Sequence, residues 1–283
     1  MRSKLFVPGA RPELFAKALT SQADAISFDL EDSVLPASKQ AAREHVGQFV
    51  ASNAVRNAAK AIIVRVNAPD TAHFEPDLRA VVRQGLTLLN LPKVESVAAL
   101  LDAISTLKDV EAANGVSEPI RLLVNIETPR SLAIASAIAA AHPRVAGLQL
   151  GLADLFEAQR IARHDTANVH AAMFAVKMAA AQAGGFAIDG AFADIENADG
   201  FTAEAMMARR LGFAGKSCIH PRQVALANAA FTPTAAELDT ARRIVAAASL
   251  AENAGRGAFL IDGKMIDLPF LKQAQAIVAA AEQ

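Results

Sequence analysis

The sequence of 283 residues contains no tryptophan, no tyrosine and a single cysteine, Cys218. One cysteine cannot form a disulfide within the chain, and it excludes a zinc site built from several thiolates. The lack of Trp and Tyr argues weakly against a surface on which nucleic-acid bases stack. We therefore expect a protein of a reducing compartment, the cytoplasm, that does not bind nucleic acid.

An excess of charge of one sign and long apolar runs are missing as well. The 28 basic and 29 acidic residues give a net charge of −1, which indicates neither a basic nucleic-acid surface nor an acidic tail. No run of about 18 apolar residues could span a membrane, and Pro8-Gly9 ends the first apolar run too early for a signal peptide. We expect small molecules as partners and no membrane.

What the sequence does contain is an alternation of short apolar runs with Ala-rich stretches at helical spacing. With 53% hydrophobic residues, the chain can bury a large core. The predicted strands are Lys4–Val7, Ala25–Leu30, Ala61–Val66, Thr87–Leu91, Leu122–Ile126, Ala146–Leu150, Phe186–Ile188 and Lys216–Ile219. Eight strands, each followed by a helix, predict an α/β fold of the (β/α)8 TIM-barrel type, which needs about 250 residues. An open doubly wound sheet is the alternative.

The last fifty residues are surplus to a barrel. They contain two predicted helices, Thr234–Ala251 and Leu268–Ala281, separated by a Gly-rich stretch in which Asp262-Gly263 suits a tight hairpin turn. We therefore predict two domains, with residues 1–230 as the barrel and residues 231–283 as a C-terminal helical extension that carries the GKMID motif.

Polar residues follow the predicted strand ends, where the chemistry of a TIM barrel gathers. They are Asp29, Glu31, Asp32, Arg65, Asn67, Lys93, Glu127, Asp154, Asp189 and His220. Six of these ten carry carboxylates, which would repel one another without cations. The basic side chains among them and a bound divalent metal ion are the candidates for that role.

Glu127 and Asp154 follow consecutive strands and bring no Cys or His with them. Two carboxylates with open coordination positions suit Mg²⁺, which keeps water ligands and takes other oxygens from a substrate. The alternative is that Glu127 forms an ion pair with Arg65 or Lys93. The residues alone leave the two possibilities equally weighted.

Arg65 lies within the apolar run IIVRVN, so its guanidinium is expected to be buried. It could hold a carboxylate or an enolate oxygen at two points, with Asn67 on the same face. A structural ion pair is the alternative. The DLED sequence at residues 29–32 could orient Arg65 and Lys93 or hold waters, whereas Glu31 or Asp32 could also cap the next turn.

Four further candidate residues have simpler explanations. Lys93 could form a Schiff base, but dense carboxylates would keep its amine charged. Arg11 and Lys17 flank the first loop and could bind phosphate groups, although solvated surface cations are common. Asp267, just before Pro269, could be only a helix N-terminal charge.

The order of eight sequence blocks resembles the citrate lyase β-subunit family of metal-dependent aldolases and lyases that act on acyl-CoA esters. The blocks are RSKLFVPG, FDLEDSV, IIVRVN, LPKVES, VNIET, LGLADL, AIDG and GFAGKSCIHPRQV. The tail GAFLIDGKMIDLPFLKQA extends the likeness to Ala274 and is similar to the tails of citramalyl-CoA and malyl-CoA lyases.

The resemblance implies a TIM barrel that binds Mg²⁺ and assembles as a homotrimer or a dimer of trimers. Glu127 and Asp154 match the family's metal ligands, and Arg65 matches the arginine that holds the oxo acid. Asp267 matches a catalytic aspartate that a C-terminal lid offers to the neighbouring subunit. Residues in positions similar to the family's CoA contacts are Phe6, Arg11 and Lys17. We count Asp32 with Arg65 and Asp267 as a candidate catalytic residue.

The implied reaction is the cleavage of a 3-hydroxyacyl-CoA, (S)-citramalyl-CoA or L-malyl-CoA, to acetyl-CoA and pyruvate or glyoxylate. Malate synthase or malyl-CoA thioesterase activity is an alternative outcome of the same enolate chemistry. A second alternative is that the protein is the β-subunit of a citrate lyase complex and acts on an acyl-carrier-protein thioester. The residues do not identify the pocket wall that selects the oxo acid.

Overall fold

The computed structural model describes residues 1–253 and 257–281. It contains two compact units, Met1–Phe231 and Thr232–Gln283. The first unit holds eight parallel strands, each followed by one or more helices, and the second holds two helices and a short hairpin.

The eight strands of the first unit close into a barrel in chain order, since β1 pairs in parallel with both β2 and β8. The strands are β1 Ser3–Pro8, β2 Ala25–Asp29, β3 Ala61–Arg65, β4 Leu88–Leu91, β5 Arg121–Ile126, β6 Val145–Leu150, β7 Phe186–Asp189 and β8 Gly215–Cys218. The predicted TIM barrel is confirmed, and the open doubly wound sheet is wrong.

The helices lie outside the barrel. Most begin within four residues of the starts that the Ala-rich stretches of the sequence predict, which are Arg11, Ser38, Val94, Pro129, Asn168 and Thr202. They are α1 Phe15–Leu19, α2 Lys39–Val50, α3 Asn53–Arg56, α4 Phe74–Val81, α5 Val97–Asn114, α6 Pro129–Ala133, α7 Ala135–Ala140, α8 Leu152–Glu157, α9 Thr166–Gln182, α10 Ala198–Arg210 and α11 Pro221–Phe231. Short 3₁₀ turns at Pro12–Leu14 and Pro36–Ser38 precede α1 and α2. The sequence patterns missed α4 and α8, because each spans only about two turns and shows too few apolar repeats.

The continuous apolar runs of the strands follow from burial on both faces. Outward-facing side chains such as Phe28 and Leu148 pack against the helices in one large core. Inside the barrel, a separate apolar cluster fills the end at which the strands begin. It consists of Ala25, Ile63, Leu88, Leu123, Ala146 and Ile188.

Above this cluster, the barrel interior is polar. Lys4, on β1, is fully buried, and its Nζ lies 3.8 Å from the centre of the Phe6 ring without a hydrogen-bond partner among the described residues. Burial lowers the pKa of Lys4 well below its ordinary value, and the Arg65 charge lowers it further, against opposing effects of Asp29, Cys218 and Glu127. A buried amine of this kind is costly to the fold.

Replacing Lys4 with methionine is expected to stabilise the fold by about 1–3 kcal/mol at pH 7, because the variant buries no unpaired amine. A lysine whose folded-state pKa is depressed destabilises the fold at neutral pH. That penalty fades as pH rises toward the pKa of the unfolded chain. Urea unfolding between pH 7 and 10 should show stability rising in the wild type and a weaker rise in K4M. The exposed Lys108 gives the control, K108M, and equal pH slopes in wild type and K4M would contradict the expectation.

The second unit consists of α12 Ala235–Asn253, the antiparallel strands β9 Phe259–Ile261 and β10 Lys264–Ile266, and α13 Leu268–Ala281. Asp262 and Gly263 join the strands with φ angles of 49° and 78°, as the predicted tight turn requires. Arg243 of α12 reaches Asp262 at 2.9 Å and ties the hairpin to the helix. None of the helices in the described part of the chain has the length and hydropathy that a membrane-spanning helix requires.

Candidate active site

A cavity of about 410 Å³ opens at the carboxyl ends of the barrel strands. Its polar lining includes Asp29, Asp32, Ser33, Arg65, Asn125, Glu127, Gln149 and Asp154, and its apolar lining includes Phe6, Leu150, Leu152 and Ile219. The barrel thus brings together candidates that lie more than a hundred residues apart in the chain, from β1 to β8.

Arg65 is held in a fixed orientation by two carboxylates. Its Nε and Nη2 donate to the two oxygens of Asp29 at 2.7 and 2.8 Å, and its Nη1 lies 2.8 Å from Glu31. Burial alone would raise the pKa of Asp29, but the Arg65 charge and hydrogen bonds outweigh it and hold that pKa at about 2. Arg65 is therefore both a largely buried ion-pair residue and a wall of the cavity, so it fits both functions that the sequence suggested for it.

Glu127 is almost fully buried where β5 ends. Its Oε1 accepts a hydrogen bond from the Lys93 backbone N–H at 2.7 Å, and its Oε2 accepts one from Asn125 Nδ2 at 2.9 Å. Burial and then repulsion from Glu31 raise the pKa of Glu127 to about 7. No ion pair of Glu127 with the Arg65 or Lys93 side chain occurs among the described residues, so the simpler alternative for Glu127 is not supported.

Lys93 links two parts of the site. Its φ of 53° is left-handed, which is unfavourable for a residue with a side chain, and this conformation aims its N–H at Glu127. Its Nζ lies 2.7 Å from Glu31 and 3.3 Å from Asp32. Partial burial by itself would lower the pKa of the Lys93 amine. The hydrogen bonds and negative charges of Glu31 and Asp32 outweigh this effect and raise the pKa above its ordinary value. A charged amine does not form a Schiff base, which agrees with the expectation from the sequence.

Asp154 lies in the first turn of α8 and lines the same cavity as Glu127. Partial burial and then repulsion from Asp32 raise its pKa. Gly151, just before α8, leaves the space that Glu127 occupies, since a Cβ at residue 151 would lie 2.5 Å from Glu127 Cβ and 2.9 Å from its Oε2. The position of the Glu127 carboxylate thus depends on a glycine at residue 151.

Substituting Gly151 with alanine is expected to displace the Glu127 side chain and to destabilise the fold by about 1–3 kcal/mol through overpacking. Affinity for a divalent cation should fall with it. Urea unfolding and calorimetric titration with Mg²⁺ would measure the two effects. Gly257, around whose Cβ position no atom of the described residues lies within 4 Å, gives the matched control G257A. A G151A variant that matches the wild type in both measurements would contradict this account.

Two residues grouped with the site by sequence lie elsewhere. Asp189 does not line the cavity but pairs with the fully buried Lys216 at 2.6 Å, and Lys216 also pairs with Glu204 of α10 at 2.8 Å. Asn67 accepts a hydrogen bond from Lys39 Nζ at 2.6 Å instead of facing the cavity with Arg65. Strand alternation explains Asp189, because it follows the inward-facing Ile188 and so points toward the helix layer. Asn67 lies beyond the end of β3 at Arg65, where the strand alternation no longer sets its direction, and its backbone N–H donates to Asp77.

The residues of the first loop are only partly at the cavity. Phe6 lines it, with Lys4 Nζ 3.8 Å and Arg65 Cζ 5.2 Å from its ring centre. Arg11 and Lys17 are exposed, and Arg11 forms an ion pair with Glu13. Neither of these cations lines the cavity.

Asp267 belongs to the second unit, directly before α13. Its carbonyl oxygen accepts the Leu271 N–H at 3.0 Å. Its carboxylate Oδ1 is buried and has no hydrogen-bond partner among the described residues. The carboxylate is therefore not used as a helix cap through that oxygen.

Sequence reasoning missed residues that lie inside strands. Asn125 donates to Glu127 and accepts from Asn90 Nδ2 at 2.7 Å, and Gln149 lines the cavity. The available signal was a polar residue inside an otherwise apolar strand, LLVNI or GLQL. A prediction based only on the residues at strand ends does not include Asn125 or Gln149.

The donor set fits a hard divalent cation. Within residues 1–253 and 257–281, no group of three or more His, Cys, Asp and Glu side chains could hold a metal ion by itself. Glu127 and Asp154 present carboxylate oxygens to one cavity, and two protein ligands leave positions for water and substrate oxygens, as Mg²⁺ prefers. Cys218 is fully buried, and burial raises the pKa of its thiol to about 12, so it is no alternative ligand or nucleophile.

Known proteins resemble this chain over nearly its full length. It is 35% identical over 302 residues to the L-malyl-CoA/beta-methylmalyl-CoA lyase of Rhodobacter capsulatus, a match that covers 99% of this chain and 94% of that protein. It is 38% identical over 284 residues to citrate lyase subunit beta of Escherichia coli K12, covering 99% and 93% of the two chains.

A solved structure also resembles the chain over its full length. Protein CitE from Mycobacterium tuberculosis, crystallised with magnesium, acetoacetate and coenzyme A, superposes with a TM-score of 0.79 and 31% identity over 100% of both chains. The family model HpcH/HpaI aldolase/citrate lyase matches residues 2–221. The chain therefore belongs to the HpcH/HpaI aldolase/citrate lyase family.

Proposed function

We propose that the protein is a Mg²⁺-dependent carbon–carbon lyase that cleaves a 3-hydroxyacyl-CoA to acetyl-CoA and a 2-oxo acid. The observation that carries the proposal is the cavity that Glu127, Asp154 and Arg65 line together. Its supports are the malyl-CoA lyase relative and the CitE structure with magnesium and coenzyme A. (S)-Citramalyl-CoA and L-malyl-CoA are the substrates to test first.

Glu127 and Asp154 would hold the Mg²⁺ ion. When bound, the ion supplies Lewis acidity that favours ionisation of the substrate hydroxyl. The two hydrogen bonds from Lys93 N–H and Asn125 Nδ2 keep the Glu127 carboxylate in one rotamer. Gly151 leaves room for that rotamer.

Arg65 would bind the carboxylate of the oxo acid and offset the negative charge that develops as the carbon–carbon bond breaks. A guanidinium suits this task because it stays charged and donates in a planar fork. Asp29 and Glu31 fix the fork before substrate arrives, so little reorganisation is needed at the moment of reaction. Asp32, half exposed on the same cavity wall, would orient Lys93 and a water molecule.

The CoA moiety would leave the cavity past Phe6 and extend toward Arg11 and Lys17. Both cations are exposed on the first loop and helix, where phosphate groups could reach them without a desolvation cost. The apolar rim, formed by Phe6, Leu152 and Ile219, suits the pantetheine chain rather than the charged oxo acid.

Asp267 would protonate the enolate carbon of acetyl-CoA, or remove the α-proton in the condensation direction. We also propose that it acts in a neighbouring subunit, with the second unit as a lid in a homotrimer or a dimer of trimers. Its buried Oδ1, which bonds to no described residue, supports a role beyond helix capping.

Replacing Asp267 with asparagine is expected to lower kcat by about 100-fold, the lower end of the range for general acid catalysis, because water can also protonate an enolate. Mg²⁺ affinity should not change, since Asp267 is not a proposed ligand. Steady-state kinetics and calorimetric titration would test both points. The neighbouring exposed residue Asp262 gives the control D262N, and full turnover by D267N would exclude the proposed role.

The direct test is the release of acetyl-CoA and oxo acid from the two thioesters by the purified chain, with Mg²⁺ and with excess chelator. Cleavage that chelator abolishes and Mg²⁺ restores supports the proposal. The citrate lyase subunit beta relative favours a second possibility, a subunit that acts on a carrier-protein thioester. No cleavage of either CoA ester, with Mg²⁺ bound, would favour that possibility.

A further inference from the structure

We propose that Arg163 is a positioning residue of the proposed metal site. By pairing with Glu204 of α10, it holds in place the segment of residues 152–165, which contains α8 and the proposed ligand Asp154. This inference rests on the proposed function, because it concerns the affinity of Glu127 and Asp154 for Mg²⁺.

The two proposed ligands differ in how they are held. Glu127 is almost fully buried, and each of its carboxylate oxygens accepts a hydrogen bond. Asp154 is exposed in the first turn of α8, and its carboxylate forms no hydrogen bond or ion pair with the described residues. The position of Asp154 therefore depends on where α8 lies.

The helix α8 has little to hold it by itself. It spans six residues, of which Leu152, Leu155 and Phe156 are buried. The residues that follow are exposed as far as Ile161, and Arg160 among them has a left-handed φ of 58°. A helix of this length is marginal without tertiary contacts, so a contact from the loop that follows it adds to its local stability.

Arg163 provides such a contact at the end of that loop. Its Nη1 and Nη2 donate to Oε2 and Oε1 of Glu204 at 2.7 and 2.9 Å. Its guanidinium carbon lies 5.7 Å from the centre of the Phe192 ring, in the loop after β7. A two-point pair between a guanidinium and a carboxylate fixes direction as well as distance. The pair therefore joins residues 152–165 to α10.

Glu204 is itself fixed from the barrel side. Its Oε1 lies 2.8 Å from Nζ of the fully buried Lys216, which also pairs with Asp189 at 2.6 Å and donates to the Gly190 carbonyl at 3.1 Å. Two carboxylates and two cations balance in this cluster, and buried charges are stable only when they are paired in this way. Arg163 is thus anchored through Glu204 to strands β7 and β8.

Replacing Arg163 with methionine is expected to lower Mg²⁺ affinity about tenfold, the lower end of the range for residues that support metal ligands. Both ligands remain in the variant, but binding must then order residues 152–165, which costs conformational entropy. Calorimetric titration of the purified protein with Mg²⁺ would measure the affinity. R163K keeps the charge but not the fork of donors, so its affinity should lie between those of R163M and the wild type.

Hydrogen exchange in the metal-free protein gives a second readout. Amides of residues 152–165 should exchange faster in R163M than in the wild type, because the segment opens more often without its contact to α10. Amides of β5, the strand that leads to Glu127, should exchange at the wild-type rate.

Arg144 provides the matched control. It forms the same kind of two-point pair, with the buried Glu111, but it lies directly before β6, at the opposite end of the strands from the cavity. R144M should lose stability in urea unfolding, as R163M should. Its Mg²⁺ affinity and its exchange in residues 152–165 should match the wild type.

Wild-type Mg²⁺ affinity in R163M would overturn the inference. An equal loss of affinity in R144M would overturn it too, since both pairs would then act through the stability of the whole fold. In either case, cleavage of a CoA ester by the wild type would leave the lyase function standing. A wild type that binds Mg²⁺ but cleaves no CoA ester, with the expected loss in R163M, would support the inference and count against the lyase function. A wild type that binds no Mg²⁺ would overturn both.

Discussion

Glu127→Gln is expected to lower kcat/KM for thioester cleavage by about 10³-fold or more, since bound metal ions contribute several kcal/mol of charge stabilisation and each 1.36 kcal/mol is tenfold. The neutral amide keeps the size of the side chain but loses the anionic oxygens that attract Mg²⁺. Calorimetric titration should show a corresponding loss of Mg²⁺ affinity.

The fold should tolerate this change. Burial raises the pKa of Glu127 to about 7, so in the metal-free protein the folded state holds a proton that the unfolded state releases at lower pH. The ionised carboxylate therefore costs stability as pH rises through 7, and E127Q should be at least as stable as the wild type at pH 8. Wild-type Mg²⁺ affinity in E127Q would contradict the role of Glu127 as a ligand.

A matched control for Glu127 lies at Glu111. Glu111 is also buried, and it forms a two-point ion pair with Arg144 at 2.8 and 2.7 Å. E111Q should lower the stability of the fold, because it weakens that pair, and should leave Mg²⁺ affinity unchanged. The two variants together separate loss of a ligand from loss of a buried carboxylate.

Arg65→Lys is expected to lower kcat by about 10²–10³-fold, the usual effect of removing one donor that stabilises transition-state charge. Lysine keeps the charge but cannot donate to Asp29 at two points while also reaching Glu31. Because the donor acts on charge that develops during cleavage, kcat should fall more than KM rises. Steady-state kinetics with the preferred CoA ester would measure both.

Arg144→Lys is the control, since Arg144 makes the same kind of two-point pair with Glu111 but does not line the cavity. Both variants should lose stability in urea unfolding, and only R65K should lose turnover. A parallel loss of turnover in the two variants would mean that Arg65 acts through stability alone.

The sequence alone predicted the barrel because its eight strands are short apolar runs and its helices repeat at their own spacing. These are local patterns, and burial on both faces of a parallel strand produces them directly. Helices of only six to eight residues, such as α4 and α8, contain too few apolar residues at helical spacing to be predicted from this pattern. Family resemblance added roles for Arg65 and Asp267 that no spacing could supply.

The carboxyl ends of the strands also identified Glu127, Asp154, Arg65 and Asp32 as neighbours, because parallel strands bring their ends to one face. The sequence could not distinguish which side of the sheet each side chain takes. Asp189, which the sequence grouped with these residues, instead pairs with Lys216, which also pairs with Glu204 of α10. A shift of one residue along a strand exchanges the two faces.

The sequence by itself determined the fold class and the edge of the barrel at which the candidate residues gather. Only the tertiary structure decided which donors hold them: Lys93 bends into a left-handed conformation to reach Glu127, and Gly151 leaves it space. It also decided that Lys4 and Gln149 are buried inside the barrel, where Lys4 Nζ and the Gln149 amide oxygen have no hydrogen-bond partner in the part of the chain that the structure describes. Such contacts join residues from different strands, and their distances depend on the register and closure of the whole barrel, which no local pattern encodes.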